Sequence, residues 1–135
     1  MEGCILYFTS KLQSKIALST TEAEYICLSQ AMQTTKVLMR FFKELEKHVE
    51  KFKSSKPNFK CKAFEDNNGA LHLAAAPQMR PRTKHINIKY HHFRSMIGKE
   101  VTIEKVATED QLADIGTKPL TKKTFETLRK RLIGW

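Results

Sequence analysis

A long stretch in the first third of the chain repeats apolar residues at steps of three and four, and it constrains the fold more than any other feature. The repeat begins at Ala23 and continues to Leu45. Such spacing places the apolar side chains on one face of an α-helix. Ser19, Thr20 and Thr21 precede the repeat and are residue types that cap helix starts. The pattern predicts an amphipathic helix of about seven turns, which needs a second layer to cover its apolar face.

Short runs of apolar, β-branched and aromatic residues predict three strands. These runs are Cys4 to Phe8, Phe59 to Phe64 and Val101 to Val106. Segments with helical spacing or capping residues predict shorter helices at 70–76, 86–97, 108–114 and 125–132. Thr108 and Gln111 form a capping box at the start of the third of these. The order of elements predicts an α/β fold, with a mainly parallel sheet flanked by helices in a single domain over residues 1–135.

The composition favours a folded protein with a polyanionic partner. Lys and Arg total 24 against 14 Asp and Glu, so the formal net charge is +10. Such an excess favours nucleic acid or an acidic membrane surface as a partner. No apolar run approaches the roughly 20 residues that a membrane span needs, and we expect an intracellular protein, cytoplasmic or nuclear. The three cysteines lack zinc or redox spacing and are expected to be reduced core thiols.

Three acidic residues lie where the predicted elements begin or end. Glu24 is near the start of the long helix, Asp66 follows a predicted strand, and Asp114 closes a short helix. Carboxylates that meet at one end of a sheet can hold divalent metal ions across a phosphate. Helix capping is an equally good explanation of Glu24 and Asp66. Asp110, Asp114 and Lys118, four residues apart, would also form an ordinary surface charge ladder.

Basic residues recur on one face of the helix predicted over 86–97 and just before it. Arg82, His85, Lys89 and His92 are three or four residues apart, and Lys84 adds to the local charge. A phosphate backbone could lie along this stripe. A plain solvated helix face explains the same spacing, and the residues alone leave both interpretations open.

The chain closely resembles the ribonuclease H region at the end of copia-like retrotransposon polyproteins. The resemblance runs from about Cys4 to Trp135 and rests on phrases that occur in the family's order and spacing. These phrases are Ser10-Lys11-Leu12-Gln13, Ala17-Leu18-Ser19-Thr20-Thr21-Glu22-Ala23-Glu24-Tyr25, Asp66-Asn67, Arg82-Thr83-Lys84-His85-Ile86 and Asp110-Gln111-Leu112-Ala113-Asp114-Ile115-Gly116-Thr117-Lys118. The resemblance implies a ribonuclease H-like fold, a mixed sheet flanked by helices.

The resemblance also implies an activity and its residues. Glu24, Asp66 and Asp114 look like the family's helix glutamate, strand-end aspartate and late-helix aspartate. In that family these residues hold two Mg²⁺ ions, with Mn²⁺ as the alternative ion, for hydrolysis of the RNA strand of an RNA–DNA hybrid during reverse transcription. The implied partners are the hybrid and the reverse transcriptase portion of a polyprotein.

The chain departs from the family's pattern at its start. The family's first catalytic aspartate lies on an opening strand that has no counterpart here, and no Asp precedes Asp66. We therefore expect an N-terminally truncated fold with impaired metal binding. The alternative function is that of a non-catalytic remnant of a retroelement that binds nucleic acid. Asn87 and Glu65 also differ from the residues usual in the family at these positions.

Overall fold

The computed structural model describes residues 5–50, 59–76, 86 and 88–134. The chain forms two compact units. The larger unit comprises Ile16–Lys105, and the smaller one combines Met1–Lys15 with Val106–Trp135. Each unit is described by itself below, and the assignment of a single domain stays a prediction.

The long helix predicted from the apolar repeat is confirmed. Helix α1 spans Thr20–His48, which is 29 residues. Its N-cap is Ser19, whose hydroxyl oxygen accepts a hydrogen bond from the Glu22 backbone N–H at 3.1 Å. The Glu22 carboxylate accepts in turn from the backbone N–H of Leu18 at 2.8 Å. This reciprocal arrangement is close to a capping box and satisfies amides that the helix start leaves without partners.

Two of the three predicted strands form a parallel pair. Strand β1 covers Cys61–Glu65 and strand β2 covers Val101–Lys105, with Ala63 opposite Ile103. The connection between them contains helix α2, Asn68–Ala75, as a parallel crossover requires. In the described part of the chain the sheet therefore has two parallel strands, and the mixed sheet implied by the resemblance is not seen there.

The prediction of a strand at the start of the chain is wrong for the residues that the structure describes. Ile5–Phe8 has no regular secondary structure, and Cys4 lies outside the described residues. The side chains of Leu6 and Phe8 are 68% and 60% exposed. A run of apolar and β-branched residues favours the extended backbone of a strand. A strand also needs a neighbouring strand for its hydrogen bonds, and the run itself does not provide one.

The helix predicted over residues 86–97 is replaced by tighter turns. Short 3₁₀-helices cover Ile88–His91 and Arg94–Met96. Tyr90, Phe93 and Met96 are buried at intervals of three residues. A 3₁₀-helix has three residues per turn, so this spacing aligns the three side chains on one face. The sequence periodicity was compatible with both helix types, and burial selected the tighter one.

The core of the larger unit lies on one face of the two-stranded sheet. Along β1, Ala63 and Glu65 turn towards the core, whereas Lys62 and Phe64 alternate to the outer side, where Phe64 is 52% exposed. The buried residues come from α1, α2, β2 and the stretch 86–96, which contains the two 3₁₀-helices and is called the 3₁₀ segment below. They are Tyr25, Ile26, Leu28, Met32, Met39, Ala70, Ala74, Ile86, Tyr90, Phe93, Met96 and Val101. The helical elements thus form one layer over the sheet.

The smaller unit is built on short turns and one helix. Thr108–Asp110 and Leu112–Gly116 are 3₁₀-helices, so the single helix predicted over 108–114 is wrong, and no side-chain cap opens the first of them. Helix α3 spans Lys122–Ile133, as the spacing predicted, with Thr121 as N-cap and Gly134 at φ 81° as the left-handed C-cap. In the described part of the chain no helix has the length and apolar character to cross a membrane.

Candidate functional site

Glu24 lies near the start of α1 and is not accounted for by helix capping. Ser19 and Glu22 fill the capping roles, so the capping explanation applies to Glu22. The Glu24 side chain is half-buried. Although Cys27 is exposed in part, partial loss of solvation raises the pKa of its thiol, and the negative charges of Glu24 and Glu65 raise it further. The start of α1 and the end of β1 therefore share one negatively charged neighbourhood.

Asp66 follows β1 directly and is half-buried. The N-cap of α2 is Asn67, whose side-chain oxygen accepts from the Ala70 backbone N–H at 3.1 Å. Capping therefore does not account for Asp66. The Thr21 hydroxyl donates to the same Asn67 oxygen at 3.4 Å, which joins the starts of α1 and α2. The elements that carry Glu24 and Asp66 meet at this contact.

A glycine permits that close approach of the two helix starts. A Cβ atom at Gly69 would lie 2.4 Å from the Thr21 hydroxyl oxygen, closer than real Cβ contacts. Any side chain at Gly69 would push the start of α2 away from α1. Gly69 thereby keeps the neighbourhood of Glu24 and Asp66 compact.

Glu65 is a buried acid that the sequence interpretation treated only as a departure from the family's pattern. It is 5% exposed, and its carboxylate accepts from the Asn67 backbone N–H at 3.0 Å. Strand alternation could have identified it, because residues 61, 63 and 65 share the core-facing side of β1. Glu65 adds negative charge beside Cys27 and steadies the turn that follows Asp66.

Asp114 belongs to the smaller unit and is 7% exposed. The Lys118 ammonium lies 2.9 Å from each of its carboxylate oxygens. Asp110 instead pairs with Arg131, so the predicted charge ladder forms only in part. The Asp114 carboxylate is buried and already holds a cationic group, which is unlike ordinary surface decoration.

Across the described residues, no group of three or more His, Cys, Asp or Glu side chains is placed to hold a metal ion. The roles of Glu24, Asp66 and Asp114 as Mg²⁺ ligands, with Mn²⁺ as the alternative, stay predictions. Of the three cysteines, Cys27 and Cys61 are free thiols, as expected, and Cys4 lies outside the described residues. Cys27 is exposed, so the prediction that it lies in the core is wrong.

The basic stripe is described only at its later end. Lys89 is exposed, and its ammonium lies 5.0 Å from the centre of the Tyr90 ring. His92 is exposed as well. Arg82, Lys84 and His85 lie outside the described residues. Lys89 and His92 are thus exposed at positions where a phosphate backbone could contact them.

A tyrosine–histidine pair links α1 to the 3₁₀ segment. The Tyr25 phenol oxygen lies 2.7 Å from Nδ1 of His91, and Tyr25 is fully buried. Burial raises the pKa of Tyr25, against a smaller opposing effect of Arg94. Burial also lowers the pKa of His91, and the positive charge of Arg94 lowers it further. A hydrogen bond with the Ile86 backbone raises this pKa by a smaller amount. At neutral pH both rings are therefore uncharged.

The lowered pKa of His91 predicts a loss of stability in mild acid. Below the usual histidine pKa of about 6.5, the unfolded chain takes up this proton more readily than the folded chain. The stabilisation is therefore complete above about pH 6.5 and is lost as the pH falls through the folded pKa. Thermal unfolding of His91→Phe at about pH 7.5 and about pH 5.5 should show a smaller pH dependence than the wild type. His72→Phe, at an exposed site, should retain the wild-type dependence, and equal slopes for all three proteins would contradict the assignment.

Comparison with known proteins identifies relatives among mobile elements. The chain is 35% identical over 133 residues, 98% of its length, to the Retrovirus-related Pol polyprotein from transposon TNT 1-94 of Nicotiana tabacum, of which it covers 9%. It is 32% identical over 126 residues, 93% of its length, to the corresponding polyproteins from transposons RE2 and RE1 of Arabidopsis thaliana, of which it covers 8%. No protein-family model and no solved structure matches the chain significantly.

These homologues are retrotransposon Pol polyproteins, and they support a retroelement-derived protein. The chain spans less than a tenth of the length of each of the three relatives. The shared stretch includes nearly every described residue of both units, since the alignment with the tobacco polyprotein covers 98% of the chain.

Proposed function

We propose that this retroelement-derived chain is a ribonuclease H-type module of a copia-like Pol polyprotein. In this role it hydrolyses the RNA strand of RNA–DNA hybrids during reverse transcription, alongside the reverse transcriptase portion of the polyprotein. Its homology to Pol polyproteins over nearly its whole length supports that context. The cytoplasm or the nucleus would be its place of action.

The meeting of the starts of α1 and α2 carries this proposal. The Thr21–Asn67 contact brings together the elements that bear Glu24 and Asp66, and other residues perform the capping at both helix starts. Glu24 and Asp66 are both half-buried, and their carboxylate oxygens are ligands that divalent ions prefer. A divalent ion is the natural counter-charge for such a pair.

The donor set fits Mg²⁺, which prefers carboxylate oxygens and keeps several waters. Glu24, Asp66 and Asp114 would hold the ion or ions, and Mn²⁺ would be accepted by the same oxygens. Bound Mg²⁺ would supply the positive charge that activates water and stabilises the leaving 3′ oxygen. The Lys118 ammonium pairs with the Asp114 carboxylate, and a metal ion bound to this acid would have to displace it.

The charge of the chain supports an RNA–DNA hybrid as substrate. A net charge of +10 draws a polyanion towards the protein and releases counterions when phosphates are neutralised. The exposed Lys89 and His92 would contact the phosphate backbone, together with Arg82, Lys84 and His85 from the adjoining part of the sequence. Contacts of this kind position a duplex without reading its base sequence.

A second candidate is a non-catalytic remnant that binds nucleic acid. The specific observation in its favour is the Asp114 carboxylate, because Lys118 occupies both of its oxygens. A stable internal ion pair at this acid would reduce its availability to a metal ion. The basic residues would retain their attraction for phosphates in this case.

Incubation of the 135-residue chain with end-labelled RNA–DNA hybrid separates the two candidates. The nuclease predicts Mg²⁺- or Mn²⁺-dependent fragments with 5′-phosphate and 3′-hydroxyl ends, which EDTA abolishes. The remnant predicts salt-sensitive binding in a mobility-shift assay with no fragments under any metal condition. Single-stranded RNA of the same sequence serves as the control substrate and should stay intact.

Removal of the Lys118 ammonium tests the role of Asp114 as a metal ligand. Lys118→Met should raise Mg²⁺ affinity by up to about fivefold, because a partly exposed ion pair of at most about 1 kcal/mol no longer competes for the carboxylate. Isothermal titration with Mg²⁺ measures the change. Lys122→Met, at an exposed position in the first turn of α3, is the matched control and should bind Mg²⁺ like the wild type. An unchanged or lower affinity in Lys118→Met would argue that Asp114 does not bind the ion.

A further inference from the structure

A cavity lies at the end of α2 in the larger unit. Its volume is about 490 Å³, and it is lined by Ala74, Ala75, Ala76, His91, Arg94 and Ile97. Ligand pockets in proteins typically measure about 300–1,000 Å³. The cavity is therefore large enough for a small organic ligand.

Two hydrogen-bonding groups at this cavity lack partners among the described residues. Nε2 of His91 is shielded from solvent and has no hydrogen-bond partner of normal geometry among the described residues, although the Ile86 backbone lies close enough to raise the pKa of the ring. None of the ion pairs in the described part of the chain includes Arg94. Among the described residues, Arg94 is the only charged one that lines the cavity. A buried polar atom without a partner costs free energy, which a suitable ligand would recover.

The Tyr25–His91 bond determines what Nε2 offers. The buried Tyr25 hydroxyl needs an acceptor, and Nδ1 of His91 at 2.7 Å is its hydrogen-bond partner. A neutral imidazole that accepts at Nδ1 carries its proton at Nε2. We assign this tautomer to His91, so that Nε2–H is a donor beside the guanidinium donors of Arg94.

We propose that this cavity binds a phosphate group carried on an organic moiety, with Arg94 and His91 as its hydrogen-bond donors. A guanidinium matches the planar spread of phosphate oxygens and binds them through two parallel hydrogen bonds. The methyl groups of the three alanines and the side chain of Ile97 leave an apolar wall for the organic part. The carbonyl end of α2 disfavours an anion, but its partial charge is smaller than the full charge of Arg94.

The phosphate group could belong to a free monoester or to the backbone of a nucleic acid strand. The proposal does not rest on the nuclease reaction, because the test is performed in EDTA, where no divalent metal is bound. Loss of phosphate binding in the cavity can therefore be distinguished from absence of the nuclease reaction.

The test is a titration of the full ¹⁵N-labelled chain with uridine 5′-monophosphate, inorganic phosphate and uridine, followed through the amide signals of His91, Arg94 and Ile97. The two phosphate compounds should shift these signals saturably, and uridine should not. Arg94→Met should weaken binding about tenfold, as expected for loss of a charge-assisted pair. Arg40→Met makes the same substitution at an exposed position of α1 outside the cavity lining, and as the matched control it should change affinity less than about twofold.

Two further arms complete the experiment. Tyr25→Phe removes the hydroxyl that sets the His91 tautomer, and it should weaken phosphate binding while thermal unfolding reports that the fold is retained. An oligouridylate without terminal phosphates that binds more tightly than the monophosphate identifies a strand backbone as the source, and the reverse order identifies a free monoester. Absence of saturable shifts, uridine binding equal to the monophosphate, or equal losses in Arg94→Met and Arg40→Met would overturn the proposal.

Discussion

Asp66→Asn is expected to reduce Mg²⁺-dependent cleavage of an RNA–DNA hybrid by at least about a hundredfold, because loss of groups that merely orient metal ligands already costs about 10- to 100-fold. The amide keeps the size of the side chain and one oxygen but removes the charge that Mg²⁺ requires. Initial rates of fragment formation at saturating Mg²⁺ provide the measurement.

Asp110→Asn is the matched control for this experiment. It makes the same chemical change within the phrase that contains Asp114, at a half-buried acid whose partner is Arg131. Its cleavage rate should stay within about twofold of the wild type, since exposed ion pairs contribute little. Equal rates for Asp66→Asn and the wild type would exclude Asp66 from the metal site, even if cleavage itself is observed.

Phe93→Ala is expected to lower the free energy of unfolding by about 3–5 kcal/mol. Phe93 is fully buried, and its ring centre lies 5.6 Å from that of Tyr25. Truncation removes both the transfer free energy of the ring and its packing in the core, and the surrounding side chains relax only in part. Chemical denaturation followed by circular dichroism measures the loss.

Phe41→Ala makes the same substitution on the exposed side of α1. Phe41 is 56% exposed and contacts only the edge of Phe42 among aromatic rings of the described residues. Its removal should cost less than about 1 kcal/mol, in the range of surface substitutions. Similar losses at both positions would show that the core does not centre on Phe93.

These two predictions separate chemistry from stability. Asp66 is half-buried at a strand end, and its conversion to Asn should leave the unfolding transition nearly unchanged. Phe93 belongs to the core, and its truncation should lower activity only through the population of folded protein. A variant that loses cleavage without loss of stability therefore marks the site itself.

Elements with a complete local signal were predictable from the sequence. The apolar repeat and the Ser19 cap predicted α1, the alternation over 59–64 predicted β1, and the spacing of Phe125, Leu128 and Leu132 predicted α3. Strand β1 also needs its pairing with β2, whereas the caps and backbone hydrogen bonds of the two helices join near neighbours along the chain. Local spacing is sufficient information for such elements.

Other features needed partners that are distant in sequence. The apolar run at Ile5–Phe8 has the composition of a strand, but no strand of the described part of the chain pairs with it. The segment 88–97 could form either helix type, and the burial of Tyr90 and Phe93 determined the tighter turns. At the candidate site, the sequence left capping and catalysis open for Glu24 and Asp66, and the bonds of Glu22 and Asn67 removed capping as their explanation.

The sequence by itself determined the types of the main elements, the net charge and the motif acids, since these depend on residue identity and short-range spacing. The tertiary structure alone decided that Thr21 meets Asn67, that Lys118 covers a buried Asp114, and that Arg94 and His91 share a cavity. Such pairings arise from packing between segments far apart along the chain, and the free energy of packing depends on shape and burial that no local pattern contains.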